Sequence, residues 1–321
     1  MKHRYSIGIG LNLFDARAIL LREDGKAIAR VEKKRTDTRA NATMEDLLQL
    51  FEKIIFKAKK YRESIAGVGL ALGGIINSKK GIVYWPQKQD LSYIYISLPL
   101  RDYLEKKFGL PVIIENDASA SVYAEYSKNF SKYKNLIYMF SGVGCGLIVD
   151  GKLYRGKDGA AGELFLNPKK TMSSALGDFS FFTQWPADLN IVKRAKELIS
   201  KGQETSLIKR ITSTGELFLH TVFEEAEKKD KVAKGVLREA AFSLGVKSAY
   251  LVNLLNPELI IIGGGLERAG GFFLEECINT VKNFSFSEMR KNLKIIFSQL
   301  GREATSLGAA LIVLKEKSLQ G

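Results

Sequence analysis

Asp117 stands at the end of the apolar run "LPVIIEN" and directly before small residues of helical character, "ASASVYAEY". A carboxylate at the end of a buried strand can take a proton from a hydroxyl and turn an alcohol into a nucleophile toward phosphorus. It can equally cap the helix that follows, since Asp is a favoured N-cap residue. Glu163 closes a run of small residues in "GKDGAAGELF". Held by such a loop, its two oxygens suit bidentate hydrogen bonds to vicinal sugar hydroxyls, and the alternative is a loop charge facing water. The segment "ALGGIINSKKGIVYWPQKQDL" reads as a loop and adds Gly73, Gly74, Trp85 and Gln87. An aromatic ring and an amide suit a sugar there, or a loop anchored by one buried Trp.

Two glycine-rich turns bear on phosphate. "FSGVGCGLIVDG" sets Ser141, Gly142, Gly144 and Gly146 between two apolar strands. Alternate glycines let the backbone come close to a bound group and aim N–H donors at phosphate oxygens, where a plain hairpin would need fewer of them. "IIIGGGLERAG" places Gly263, Gly264 and Gly265 between an apolar strand and a helix. The helix start and bare backbone can seat a nucleotide, and a tight strand-to-helix turn explains the same glycines.

The elements that must position these residues alternate along the chain. "YSIGIG", "ARAILLRED" and "AIARVEKKR" read as three strands with an Asp24-Gly25 hairpin turn between the last two. A helix follows behind a Thr43 cap, then the buried strand "IAGVGLALG", the helix "SLPLRDYLEKKFG" and the strand that ends before Asp117. The second half repeats the plan: strand, glycine turn, strand, Asp150-Gly151, strand, a long helical region, the strand before the triple glycine, the strand "LKIIFSQLG" and a closing helix. Two halves that each begin with hairpin-linked strands imply a duplicated α/β fold with a cleft between the halves. Ligands in such folds sit at the carboxyl ends of strands, where Asp117 falls.

Composition narrows the classes. The chain has 321 residues, 45% hydrophobic and 26% charged, which fits ordinary globular cores and excludes a disordered chain. No stretch reaches bilayer-spanning length and the first residues lead into a strand, so a cytoplasmic protein with no membrane association is expected. Its two cysteines, Cys145 and Cys277, lack metal-ligand spacing and are expected as free thiols. The net charge of +14 invites a polyanionic partner, a nucleotide included. The basic residues alternate with apolar ones along helices, the pattern of solvated helix faces.

Together these motifs resemble the ROK family of bacterial repressors and sugar kinases, built on duplicated actin-like ATPase (ribonuclease H-like) domains with an interdomain cleft. The resemblance runs from Tyr5 to about Lys315 and rests on "GVGLALGG…GIVYWP", "LPVIIENDASA", "SGVGCGLIVDGKLYRGKDGAAGEL" and "NPELIIIGGGLERAG", in that order. It implies Asp117 as catalytic base and Asn116 as a neighbouring sugar ligand. Glu163 matches the glutamate on the sugar hydroxyls, Gly73 and Gly74 the sugar-side loop, and Gln87 a sugar-facing asparagine. Ser141 to Gly146 match the second phosphate loop and Gly263 to Gly265 the adenosine loop. The domains implied are 1–117 with about 303–321, on the sugar side, and 118–302, bearing the nucleotide loops and the pairing surface of a homodimer.

The departures matter as much. Kinase members of the family end the first strand in Asp, which helps hold magnesium, and continue with small residues that admit phosphates. This chain has "IGIGLNLFDARAIL", with Gly10 for the Asp and Asn12, Leu13 and Phe14 for the small residues; Asp15 is a displaced substitute. After Glu163 come Phe165 and Leu166 and then "NPKKTMSSALGDFSFFTQWP", without Cys or His, so no zinc is expected and Phe179, Phe181, Phe182 and Trp185 are expected to pack instead. The repressors' helix-turn-helix would precede Tyr5, where only Met1 to Arg4 stand, so no operator binding by that route is expected. The resemblance implies ATP- and Mg2+-dependent phosphorylation of a hexose or amino sugar by Asp117. The alternative is a non-catalytic sugar-sensing domain related to the repressors.

Overall fold

β1 (Tyr5–Leu11) is buried along its whole length, as expected of a strand covered on both faces. The computed structural model describes residues 3–12, 14–35, 40–89, 92–140, 144–164 and 187–318. β1 pairs antiparallel with β2 (Asp15–Arg22), which pairs antiparallel with β3 (Ala27–Lys34) across the Asp24-Gly25 turn. β3 forms the edge, and its alternating Arg30, Glu32 and Lys34 face water, which discourages pairing with another chain. On its other side β1 lies parallel to β4 (Ile65–Leu72), and β4 lies parallel to β8 (Val112–Asn116). The sheet order is β3-β2-β1-β4-β8.

The second sheet repeats this topology with β9 (Leu136–Phe140), β10 (Gly144–Val149), β11 (Lys152–Tyr154), β12 (Leu259–Gly263) and β13 (Lys294–Phe297), in the order β11-β10-β9-β12-β13. β10 and β11 are antiparallel across Asp150 and Gly151, whose φ values of 50° and 73° suit a two-residue hairpin turn; β12 and β13 are parallel. The duplication read from the sequence is thus present strand for strand.

The helices are α1 (Ala40–Ala58), α2 (Leu100–Phe108), α3 (Asp117–Glu125), α4 (Ala187–Ser200), α5 (Leu219–Glu227), α6 (Lys231–Leu255), α7 (Gly271–Phe284) and α8 (Ala304–Ser318). Close packing of α8 on the first sheet depends on missing side chains. A Cβ at Gly69 would lie 2.2 Å from the Ala309 carbonyl oxygen, and one at Gly308 would lie 1.8 Å from that of Ala120 in α3. A methyl group at either position would push the helix off its seat.

By contacts the chain divides into two compact units, residues 1–138, 145–163 and 298–321, and residues 139–144 and 164–297. The core of the first unit joins β1, β2, β4 and β8 to α1 and α2 through Ile7, Ile9, Leu20, Phe51, Ile54, Leu70 and Ile114. Ile191, Phe223, Leu237, Val252, Ile261 and Phe273 are buried in the second.

Two expectations are corrected. Thr43 does not cap α1, which begins at Ala40; its buried hydroxyl accepts a hydrogen bond from Arg35 Nη2 at 3.0 Å instead. Residues 71–91 are not a plain loop, because they contain β5 (Ile75–Asn77) and β6 (Ile82–Gln89), which with β7 (Ser92–Leu98) make a three-stranded antiparallel sheet. Pro86 hid β6 from the sequence. It is tolerated because β5 pairs only with Ile82 to Tyr84, leaving that edge of β6 free where the proline lacks its N–H.

Candidate functional site

β4 and β8 end side by side, with Leu72 opposite Asn116, so Gly73 and Asp117 leave the sheet as neighbours. A Cβ at Gly73 would lie 3.2 Å from Asp117 Oδ2, so the glycine keeps the space beside that oxygen narrow but free. The helix cap is Asn116: its Oδ1 accepts from Ala118 N at 2.9 Å and from Ser119 N at 3.1 Å. Capping therefore does not explain Asp117, although its Oδ1 also accepts from Ala118 N at 2.8 Å. Burial lifts the Asp117 carboxyl from the usual carboxylate range to about 7, against the pull of the Ala118 N–H and of the Arg35 charge.

Glu163 stands in the same unit, on the loop that follows β11. Cys145 N donates to the carbonyl of Gly162 at 2.8 Å, which ties that loop to β10. Glu163 is exposed to solvent, yet the protein packed around its carboxyl and, second, the Asp117 charge raise it to about 7 as well. Two carboxyls raised together, Asp117 by burial and Glu163 by its surroundings and the Asp117 charge, are a donor–acceptor set suited to hydroxyl groups. Trp85 packs against the core as a partly buried anchor. Gln87 is paired with Ile94 in the β6–β7 ladder, and its side chain lies outside the described residues.

The turn after β1 is where a phosphate group and its magnesium would be expected, and its residues do not fit them. Asn12 Oδ1 accepts from both Phe14 N and Asp15 N at 2.8 Å, so backbone donors that an anion would need are already used. Asn12 N in turn donates to the carbonyl of Asp15. Asp15 is no spare magnesium ligand, which corrects its reading as a displaced substitute. It is buried, its Oδ1 accepts from Arg17 Nε at 2.9 Å and Asn12 Nδ2 at 3.1 Å, and its Oδ2 accepts from Arg302 Nε at 2.6 Å. Arg17 and Arg302 both also pair with Glu32. Gly10 offers no room for the missing carboxylate, since a Cβ there would lie 2.6 Å from Ser306 N and 2.7 Å from Thr305 Cγ2. Arg35 closes the turn from outside, donating to the Asn12 carbonyl at 2.8 Å.

The other glycine turns divide. Ser141 and Gly142 lie outside the described residues, while Gly144 opens β10. Gly146 has a packing reason to be glycine, because a Cβ there would lie 2.1 Å from the carbonyl oxygen of Ala118. Gly263 ends β12, and Gly264 and Gly265 take φ values of 72° and 108° that only glycine adopts freely. The helix expected directly after them is a short 3-10 turn, Leu266–Ala269, and α7 begins at Gly271. Gly265 N donates to Glu267 Oε2 at 3.0 Å, so one N–H of this turn is used internally too. The segment 165–186, with the zinc expectation and Phe179, Phe181, Phe182 and Trp185, lies outside the described residues.

Sequence reasoning missed Arg17, Arg35, Arg155 and Arg302. Arg155 and Arg302 have partners remote in the chain, 40 residues away for Glu115 and 287 for Asp15, and no local spacing announces such pairs.

The ROK family matches residues 5–316. The chain is 30% identical to the xylose repressor of Caldicellulosiruptor bescii, over 84% of this chain and 68% of that protein. It is 28% identical to the glucokinase of Halalkalibacterium halodurans, over 81% and 79%. A ROK family glucokinase from Streptomyces griseus, solved in complex with glucose and AMPPNP, shares the fold with a TM-score of 0.72 at 23% identity, over 96% of this chain and 98% of that one. A ROK family transcriptional regulator, a homolog of the E. coli MLC protein, has a TM-score of 0.71 at 22% identity, over 99% and 81%.

Proposed function

Because the chain belongs to the ROK family, whose relatives here include both glucokinases and xylose repressors, we propose that it binds a free hexose or amino sugar and reports its presence without phosphorylating it. Asp117 and Glu163 are the sugar's hydrogen-bond partners in this proposal, with Asn116 and Gln87 beside them and Gly73 and Gly74 leaving room for the ring. The observation that carries the reading is the closed turn after β1. Asn12 occupies the N–H groups of Phe14 and Asp15, Asp15 is neutralised by arginines, and Gly10 faces the start of α8 with no space for a metal-binding carboxylate. A triphosphate held only by the remaining glycine turns would lack the clamp on its transferring group that phosphoryl transfer depends on.

The side chains on the sugar side suit recognition. Near neutral pH both carboxyls exist partly ionised, so the pair can accept from one sugar hydroxyl and donate to another. The partly buried setting of Asp117 strengthens its bonds, and the hydroxyl pattern of the sugar then decides affinity.

Phosphorylation is the second reading, and one observation favours it: a carboxyl titrating near 7 is poised to take a proton from a sugar hydroxyl. ATP and Mg2+ would then be needed, with Ser141, Gly142, Gly144, Gly146 and Gly263 to Gly265 on the nucleotide side. Work in the cytoplasm as a pair of copies belongs to the proposal as well. An uncharged exposed stripe on α6, Phe242, Tyr250 and Leu254, flanked by Phe284 and Phe286, supports the pairing.

Thermal shift across a panel of monosaccharides, run beside an ADP-release assay on the same panel, tests the proposal. Stabilisation by one sugar class without ADP release supports it; sugar-dependent ADP release sinks it in favour of the kinase.

A further inference from the structure

Glu115 directly precedes Asn116 and Asp117, yet its side chain is buried and points away from solvent contact altogether, at 1% exposure. Its Oε2 accepts from Arg155 Nε at 2.6 Å and its Oε1 from Asn116 N at 3.0 Å. Arg155 follows β11 at the start of the loop that ends in Glu163. Its Nη2 reaches Glu316 on α8 at 3.2 Å, and its backbone carbonyl accepts from Ala161 N at 3.2 Å. One residue thus holds β8 with its side chain and the Glu163 loop with its backbone.

We infer that Arg155 is a positioning residue that fixes the separation of Asp117 and Glu163, by clamping Glu115 on the strand that delivers one carboxylate and Ala161 in the loop that delivers the other. In sugar recognition its effect rests on the proposed sugar-binding reading, because a hydroxyl pair of fixed spacing is bound well only by acceptors of fixed spacing. The bond to Glu115 is suited to the task. A charge-assisted contact to a buried carboxylate is directional and strong, and the geometry tolerates little sliding. Solvent-exposed ion pairs such as those along α4 would not hold a loop to this precision.

Carboxyl carbon NMR on protein labelled at Asp and Glu reads the separation without any sugar. Asp117 faces the Arg35 charge and Glu163; Glu163 faces Asp117 and Cys145, whose thiol is pushed up to about 12 and stays neutral through the window. Wild type is expected to show both carboxyls titrating near 7. Arg155→Met leaves Glu115 buried without its partner and can fail to fold, so the test includes the double variant Glu115→Gln with Arg155→Met, which removes both charges. In the double variant the loop moves, water enters and both midpoints fall by at least about one pH unit, a displacement that a generally destabilised but unmoved site would not show. Arg155→Lys, which keeps a cation at Glu115, restores most of the shift. The sugar that stabilises wild type is expected to bind the double variant at least tenfold more weakly. Unchanged midpoints in the double variant overturn the inference even if sugar binds. Shifted midpoints in a protein that binds no sugar uphold the clamp and reject the sugar-binding reading.

Discussion

The side-chain oxygen of Asn12 lies 2.8 Å from the backbone nitrogen of Asp15, and the N–H of Phe14 meets the same oxygen at the same distance. A turn that could receive an anion from outside is thereby liganded from within the chain. The carboxylate of Asp15 faces Arg17 and Arg302, so the charge that would hold a metal is itself held by cations. These contacts separate the two halves of the expected chemistry: acceptors suited to sugar hydroxyls remain, and the first phosphate grip does not.

Asn12→Ala orphans two backbone donors and frees one contact to Asp15. Chemical denaturation is expected to show a loss of about 1–3 kcal/mol, with sugar affinity unchanged because the substitution lies off the Asp117 and Glu163 pair. Unchanged stability would mean that water replaces the side chain at no cost and that the turn is open.

Gly10→Asp restores the carboxylate that kinase members carry in sequence but not in space. The new side chain meets the Ser306 backbone and Thr305 at the start of α8, so a loss of about 1–3 kcal/mol is expected from overpacking. Calorimetry with Mg-ATP should detect no gain in binding. A nucleotide-binding Gly10→Asp protein would show that the helix yields.

Arg302→Met leaves buried Asp15 with one cation where it had two. Arg302 is about half exposed and Arg17 still compensates the buried carboxylate, so the expected loss is about 1–3 kcal/mol, that of a charged hydrogen bond. Urea midpoints at constant slope check this, and a change below about 0.5 kcal/mol, the range of ordinary surface substitutions, would contradict it.

Asp117→Asn is expected to stabilise the protein at alkaline pH while abolishing its specific sugar binding. The folded Asp117 carboxyl titrates near 7, above its unfolded value of 3.8. Between those values the native state binds more protons than the unfolded state, so stability falls as pH climbs from about 4 to about 7. The amide cannot ionise, and the gain at pH 8 is on the order of 2 kcal/mol, about half the full linkage value because Asp117 keeps some contact with water. At pH 4 the two proteins should melt alike. A variant no more stable than wild type at pH 8 would show that Asp117 is not desolvated.

Much of this was legible in the sequence. The succession of strands in the two five-stranded sheets follows from apolar runs and two hairpin turns, Asp24-Gly25 and Asp150-Gly151, whose residue types suit tight turns. Asp117 and Glu163 were visible because a charge at the end of an apolar strand or glycine loop needs a reason. The cap was the harder problem. Asn and Asp are both favoured N-cap residues, so only the geometry assigns the cap to Asn116 and leaves Asp117 for other work. β6 was hidden because Pro86 reads as a strand breaker until its free edge is known. Arg302 and Arg155, the distant partners of Asp15 and Glu115, were hidden for a different reason, since long-range ion pairs leave no periodic trace.

Isothermal titration of the wild-type protein separates sugar binding from nucleotide chemistry. The sugar found by thermal shift is titrated into the protein alone, and Mg-ATP is then titrated to millimolar concentration into the sugar-saturated protein. Heat is expected from the sugar and none from Mg-ATP. Saturable Mg-ATP heat with formation of ADP and sugar phosphate would contradict it.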